Sequence, residues 1–573
     1  MPRIFLAVTL LVLSACGGSP GTSSSPGGNT ATVDAQAAPP APTALQVRVE
    51  STKNLRFDWP SVVGANSLAL WVDPDGESGA QLPRELQPLA PNAQSHALSV
   101  FLPEALGARY RLRACNVAGC SDSAWVGVDD LNPAIGYLKA SNAAAGDLSG
   151  WAIALSANGE RVAIAALEED GLVGGVNGIE DRGASNWNTG AVYVFQRGAS
   201  GWRQEARLKH SHPDWGDTFG SDLDLSDDGR VLLVGAPNDD SPGSDPGAGG
   251  LGDAGAAFVF ERDEAGQWRQ AAYLKPPVSR ANAQFGLHVA LSGNGAWAAV
   301  NARGVTTMSA TMFRRTVAGW EFAASLPAGN NADDRFAGRR LSLDREGLTL
   351  AVGVATHSYP GQEVDPALPS GAVQVGAVEI FGRGANDQWS LAARLRPTVA
   401  APRMSFGWAT ALSADGGRLV VGASPREWDV AFRGGAYVFD LLPGGWTQTA
   451  ALLPSPGATS MRAGFAVDIS GDGRSLVTTD VEEPGPGQGL EANAPAMPVG
   501  GAVDWYREQD DGQWQLARRL KAPNNQPNLY FGWGVALSAD GQTLAAGALG
   551  ESSAAGTDMN DRSASFAGAA YLY

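Results

Sequence analysis

From residue 131 onward, short apolar or alternating runs recur between turn residues in a fixed order. One copy begins Phe406-Gly407-Trp408-Ala409-Thr410-Ala411-Leu412, turns at Asp415-Gly416 and continues Arg418-Leu419-Val420-Val421-Gly422-Ala423. An Asp-Gly or Asn-Gly turn between two such runs is the strongest short-range hairpin signal. A variable polar stretch follows, then Gly435-Ala436-Tyr437-Val438-Phe439, a short turn, Trp446 and Ala451-Leu452-Leu453. The turn glycines fall at Gly159, Gly229, Gly295, Gly347, Gly416, Gly473 and Gly541, about 64 residues apart on average. Closing tryptophans Trp202, Trp268, Trp320, Trp389, Trp446 and Trp514 keep step with them. Two independent markers in register define a repeat of four strands, and four antiparallel strands make a propeller blade. The pattern predicts an all-β fold class, a seven-bladed β-propeller over 131–573.

The ends of the repeat region predict how the ring closes. The last copy stops at Ala569-Ala570-Tyr571-Leu572-Tyr573, its third run, with no fourth. The region opens on an orphan Ile135-Gly136-Tyr137-Leu138-Lys139-Ala140, which matches fourth-run ends such as Ala271-Ala272-Tyr273-Leu274-Lys275. The N-terminal strand is therefore expected to complete the last blade, which removes sheet edges open to pairing with other chains.

Before the repeats, residues 41–130 alternate apolar and polar positions in short runs, as in Leu45-Gln46-Val47-Arg48-Val49 and Leu55-Arg56-Phe57-Asp58-Trp59. This spacing predicts a small β-sandwich. The segment resembles a fibronectin type III module: Trp59 stands where that family buries a core tryptophan, and Tyr110 to Ser121 follow its closing signature. Cys115 and Cys120 flank a four-residue turn, so they are expected to face each other across a hairpin and form a disulfide in an oxidising compartment.

Residues 1–15 read as a secretory signal, with Arg3 before an apolar run from Ile4 to Leu13 that is too short to span a bilayer. It ends in Leu13-Ser14-Ala15-Cys16, which resembles the lipobox of bacterial lipoproteins. The resemblance implies lipidation at Cys16, and Gly17 after it favours the outer membrane, with surface exposure one orientation there. Residues 16–40 are Gly, Ser, Pro, Thr and Ala with almost no bulky side chain, a flexible leash.

The repeats are similar to the FG-GAP family, whose integrin α-subunit members form seven-bladed heads. The words that carry the resemblance are Phe219-Gly220, Phe285-Gly286, Phe406-Gly407 and Phe531-Gly532, with Val234-Gly235-Ala236-Pro237 and Val421-Gly422-Ala423 downstream. Ser149 replaces the phenylalanine of the first copy, and Val300-Asn301-Ala302 and Val477-Thr478-Thr479 depart from the second word. Integrin-type blades bind calcium in an acidic loop between their first two strands. Here that loop is cut to turns such as Asp227-Asp228-Gly229, too short to surround the ion, so those ligands do not carry over.

Charge and composition narrow the function. The formal charge is −18, which disfavours nucleic acid and anionic membrane surfaces. Five His and three Cys leave little for metal or thiol chemistry. Glu168, Glu169, Asp170, Glu180 and Asp181 crowd one loop, and Asp239, Asp240, Asp245 and Asp253 another; solvated carboxylates are the expectation. His210 and His212, with Asp214 nearby, lack a third fixed ligand, and His288 reads as a packed or partly exposed residue. No nucleophile elbow or phosphate loop appears. No catalytic, metal or cofactor residue is singled out. The recurring Trp202 and Trp268 read as packing between strands, whereas Trp187, Trp215 and Trp428 lie in variable loops that suit glycan or protein contacts. The sequence thus predicts a non-catalytic envelope lipoprotein that binds an extracellular or periplasmic protein or glycan through its propeller loops, as in adhesion. A periplasmic assembly scaffold and a polysaccharide- or peptide-degrading enzyme are the alternatives.

Overall fold

A computed structural model describes residues 37–573 apart from 77–80, 179–187, 199–200, 244, 246, 248, 303–307, 328–340, 356–374, 402, 426–431, 455–461, 486, 491–498, 525, 555 and 557. Cys16, Glu180, Asp181, Trp187 and Trp428 lie outside the described residues.

Two sheets come first. One holds Gln46–Ser51, Asn54–Asp58 and Ser95–Ser99; the other holds Arg84–Leu89, Ser67–Asp73, Arg109–Asn116 and Gly119–Asp122, with Val126–Gly127 beside Arg109–Asn116. They share a core in which Leu55, Phe57 and Trp59 meet Leu70, Tyr110 and Leu112. The Phe57 ring meets Tyr110 edge-on at 5.0 Å. Cys115 and Cys120 pair in register across the hairpin and are disulfide-bonded.

Seven antiparallel sheets follow among the described residues. Six keep four strands in chain order, the first gaining the short strand Gly175–Val176 at its outer edge. The last sheet orders Phe531–Leu537, Leu544–Ala548 and Ala569–Leu572, and is completed by Gly136–Leu138, with Tyr137 opposite Tyr571.

Each hairpin between first and second strands is built the same way. Ser156, Ser226, Ser292, Ser413, Ser470 and Ser538 each donate to the Asn or Asp two residues on. The same hydroxyls accept the backbone N–H five residues on, closing the turn. In the fourth sheet Asp344 does this work, accepting from Leu348 and Thr349. The turn carboxylates are thus occupied as turn acceptors, and the Ser413 hydroxyl holds the Asp415 carboxyl below its usual range.

Backbone hydrogen bonds then run from turn to turn and return to their start. Ala157 donates to Asp227, Asp227 to Gly293, Asn294 to Arg345, Arg345 to Ala414, Ala414 to Gly471, Gly471 to Ala539 and Asp540 to Ala157, at 2.8 to 3.2 Å. At the opposite end, in every sheet but the third, a glycine before the third strand abuts the next sheet. A Cβ on Gly376 would lie 2.0 Å from the Phe406 carbonyl oxygen, and one on Gly434 2.1 Å from that of Ala463. Their positive φ of 88° adds backbone strain to any substitution.

Electrostatic clasps fix the loop end. A lysine closing the fourth strand meets an acid three residues beyond the second: Lys139 with Glu551 at 2.5 Å, Lys275 with Asp239 at 2.8 Å and Lys521 with Glu483 at 2.5 Å. Lys209 pairs likewise with Glu169, which also takes Arg207 at 2.8 Å. The expectation of solvated loop acids therefore fails at Glu169 and Asp239, because each sits beside a buried cation. Four of the five lysines of the chain are buried and the Lys275 side chain is 7% exposed; the remaining one, Lys53, donates its amine to Thr543 at 2.6 Å.

Two outcomes follow. Glu551→Ala, which strands Lys139, should cost about 3–5 kcal/mol in denaturant unfolding, while adding Lys139→Met to Glu551→Leu should recover most of it. Amine-reactive acylation of the native chain should leave all five lysines unmodified, whereas prior denaturation should expose all five to peptide mapping.

Candidate functional site

In a sheet whose strands are antiparallel and in chain order, the 1–2 and 3–4 turns share one end, and the 2–3 loops and links to the next sheet share the other. The N-terminal sheets dock on the hairpin end. Arg197 donates to Asn54 at 3.0 Å and Ser99 at 2.7 Å, Arg507 meets Glu104 at 2.6 Å, and Phe101 packs edge-on against Trp505 at 5.0 Å. Lys53 also reaches the Gln542 carbonyl there; burial first, and the Arg197 charge next, push its amine down to about 7.

The loop end carries the candidate site. The first strands line a central channel, and among the described residues the one after each strand-opening glycine stands at the mouth. In four consecutive sheets this residue is aromatic: Trp408, Phe465, Trp533 and Trp151. Ring centroids are 6.0 Å apart for Trp408–Phe465, 4.9 Å for Phe465–Trp533 and 5.1 Å for Trp533–Trp151. The Trp151 indole N–H donates to the Ser221 carbonyl at 3.1 Å, which fixes its plane. Across the mouth, Asn238 donates to Gly216 at 3.0 Å and accepts from Gln284 at 2.9 Å. His288 Nδ1 lies 3.3 Å from Asp222. The aromatic arc and this polar wall enclose about 290 Å³.

Deeper in, the channel holds about 250 Å³ between small side chains such as Ala154, Ala411 and Ala536. Asp224 and Asp468 stand in it, each stitching its sheet to the next: they accept the Leu291 and Leu537 N–H groups at 2.7 Å. Ser342 does the same for Leu412 at 2.9 Å. An inner edge strand has N–H groups that need such partners. Burial in the channel pushes Asp224 up to about 7 and Asp468 up to about 6.

The residues singled out from sequence fall elsewhere. His210 is buried, stacked 4.7 Å from Phe258 and 3.1 Å from Asp217, while His212 is exposed beside Ser211. Among the described residues no three His, Cys, Asp or Glu side chains gather as metal ligands. Asp240 and Asp245 accept backbone N–H groups within their own loop. Trp268 is buried in the apolar core and Trp202 packs against another part of it; Trp215 is 70% exposed. The sequence reading passed over Trp151, Trp408 and Trp533; the signal was their shared place after the Gly of the Phe-Gly word, or Ser-Gly in the first copy.

The FG-GAP repeat profile matches residues 202–260 and 389–439. No curated protein matches this chain. Two similar solved structures are a protein from Lactobacillus plantarum, at 10% identity and TM-score 0.41 over 80% of this chain and 97% of that one, and the RRP9 WD40 repeats, at 10% identity and TM-score 0.40 over 76% and 96%. The chain carries FG-GAP repeats in an all-β, propeller-like architecture.

The channel acids give a pH signature. A carboxyl whose folded value lies above its ordinary 3.8 stabilises the fold while protonated; that contribution is full below about pH 4 and is lost as pH rises through about 7. Asp224→Ser, which copies Ser342, should remove on the order of 2 kcal/mol of the stability change between pH 4 and pH 8, read by urea unfolding against the native chain.

Proposed function

We propose that the chain is an exported, lipid-anchored binding protein without catalytic activity. Residues 1–15 are its signal, Cys16 its lipid attachment and 16–40 its leash. Residues 41–130 are a fibronectin type III-like sandwich, and 131–573 a seven-bladed propeller closed by its N-terminal strand. The partner is a protein or polysaccharide outside the cytoplasm, held by the loop-bearing face.

The observation that carries this reading is the docking of the N-terminal sheets on the hairpin end of the ring, through Arg197, Arg507 and Phe101. An anchor entering through those sheets leaves the loops and the aromatic mouth on the end away from the bilayer. The charge of −18 also keeps the body off anionic lipid.

Protease treatment of intact and lysed cells tests it. Digestion of the ring on intact cells, with Cys16→Ser moving the chain from the membrane to the soluble fraction, is the expected result. Protection until lysis would replace adhesion with a scaffold inside the envelope.

A further inference from the structure

We infer that the aromatic mouth of the channel binds the end of a neutral glycan chain, stacking a sugar ring on Trp408, Trp533 and Trp151 while its hydroxyls bond to the Asn238–Gln284 wall. This deepens the binding reading above and rests on it.

The aromatic residues are not demanded by the repeat. The equivalent positions in the second and third sheets are Ser221 and Leu287, and those sheets keep the same strand order. Trp151, Trp408 and Trp533 are only half-buried, so much of their area goes unused in the core. They form one continuous arc, with neighbouring planes 44° to 52° apart. A curved aromatic wall suits the C–H face of a pyranose, whose rim of hydroxyls then needs fixed donors and acceptors opposite. Asn238 supplies both: its two bonds occupy one donor hydrogen and one lone pair, leaving one of each.

Size and charge narrow the ligand. A cavity of about 290 Å³ sits at the small end for ligand sites, enough for the terminal rings of a chain and too concave for a flat protein surface. Below it the first strands ring a channel of about 250 Å³, so a chain that reaches the mouth enters by its end. Among the described lining residues the sole ionisable group is His288, beside Asp222. With −18 on the whole chain, an anionic polymer is repelled and a neutral one is not.

The test titrates the detergent-solubilised full chain with cellohexaose, laminarihexaose, chitohexaose and maltohexaose, with polygalacturonate as the anionic control, followed by tryptophan fluorescence and calorimetry. Saturable binding of at least one neutral oligosaccharide is expected, weakened about tenfold or more by Trp408→Ala and by Trp533→Ala. Gln284→Ala, which leaves the aromatic arc intact, should weaken it severalfold, and Trp215→Ala, on the exposed loop, should not change it. Unfolding curves establish that each variant is folded; if a tryptophan variant is not, Gln284→Ala decides. Binding of none of the four, preference for polygalacturonate, or equal affinity in the folded mouth variants overturns the inference. The exposure of the ring on intact cells is read independently, so the mouth assignment can fail while the outward-facing binding role stands.

Discussion

The architecture depends on a circle of seven backbone hydrogen bonds that no side chain contributes to. Each hairpin turn donates to the next sheet's turn, and the last returns to Ala157. The circle requires every turn at the same height and angle, which explains why the Ser-x-Asp/Asn-Gly hairpin recurs with so little change. A turn one residue longer would displace its N–H and open the ring at that point. At the loop end the same constraint appears as close backbone approach, where Gly376 and Gly434 abut Phe406 and Ala463 of the next sheet. The Gly-Ala word and the Phe-Gly word are therefore two halves of one inter-sheet contact, which is why they travel together in the sequence.

Closure leaves the charged clasps a different task. Lys521, Lys139, Lys209 and Lys275 sit in four consecutive sheets, sixth, seventh, first and second around the ring. Each ties the root of a long loop to the end of a fourth strand. A buried ion pair adds little net stability over an apolar pair, but breaking one is costly, so it enforces a single arrangement of the chain. The Lys139–Glu551 clasp joins the strand that opens the ring to the sheet that ends it, and so guards the seam where closure depends on two distant segments.

Much of the fold was legible because its signals are local. Turn glycines, closing tryptophans and the missing fourth run at Tyr573 are read without knowing where anything lies in space. The clasps were not legible, since their partners stand 40 residues apart at Lys209 and 412 apart at Lys139. The chain has only five lysines, and every one is spent on a buried or part-buried contact. The loop acids were misjudged for the same reason: acidity along the sequence carries no information about the cation placed against Glu169 or Asp239. The mouth was missed because Trp151, Trp408 and Trp533 stand inside the repeat, where regularity suggests packing.

That last point separates structural from functional aromatics in a repeated fold. A tryptophan that recurs in every copy, as Trp268 and its equivalents nearly do, occupies a position where each sheet needs the same filler. A position that is aromatic in one arc and Ser221 or Leu287 in the other is under no such common demand. The same holds one turn deeper, where Asp224, Ser342 and Asp468 alternate with alanines along the channel. Those three polar groups answer inner-edge N–H groups, so their irregularity has a backbone cause. The rings of Trp408 and Trp533 instead flank Phe465 at 6.0 and 4.9 Å and stay half-buried at the mouth. An asymmetry of this kind, at the mouth of the channel that the sheets line together, is where a ring of near-identical units acquires a specific surface.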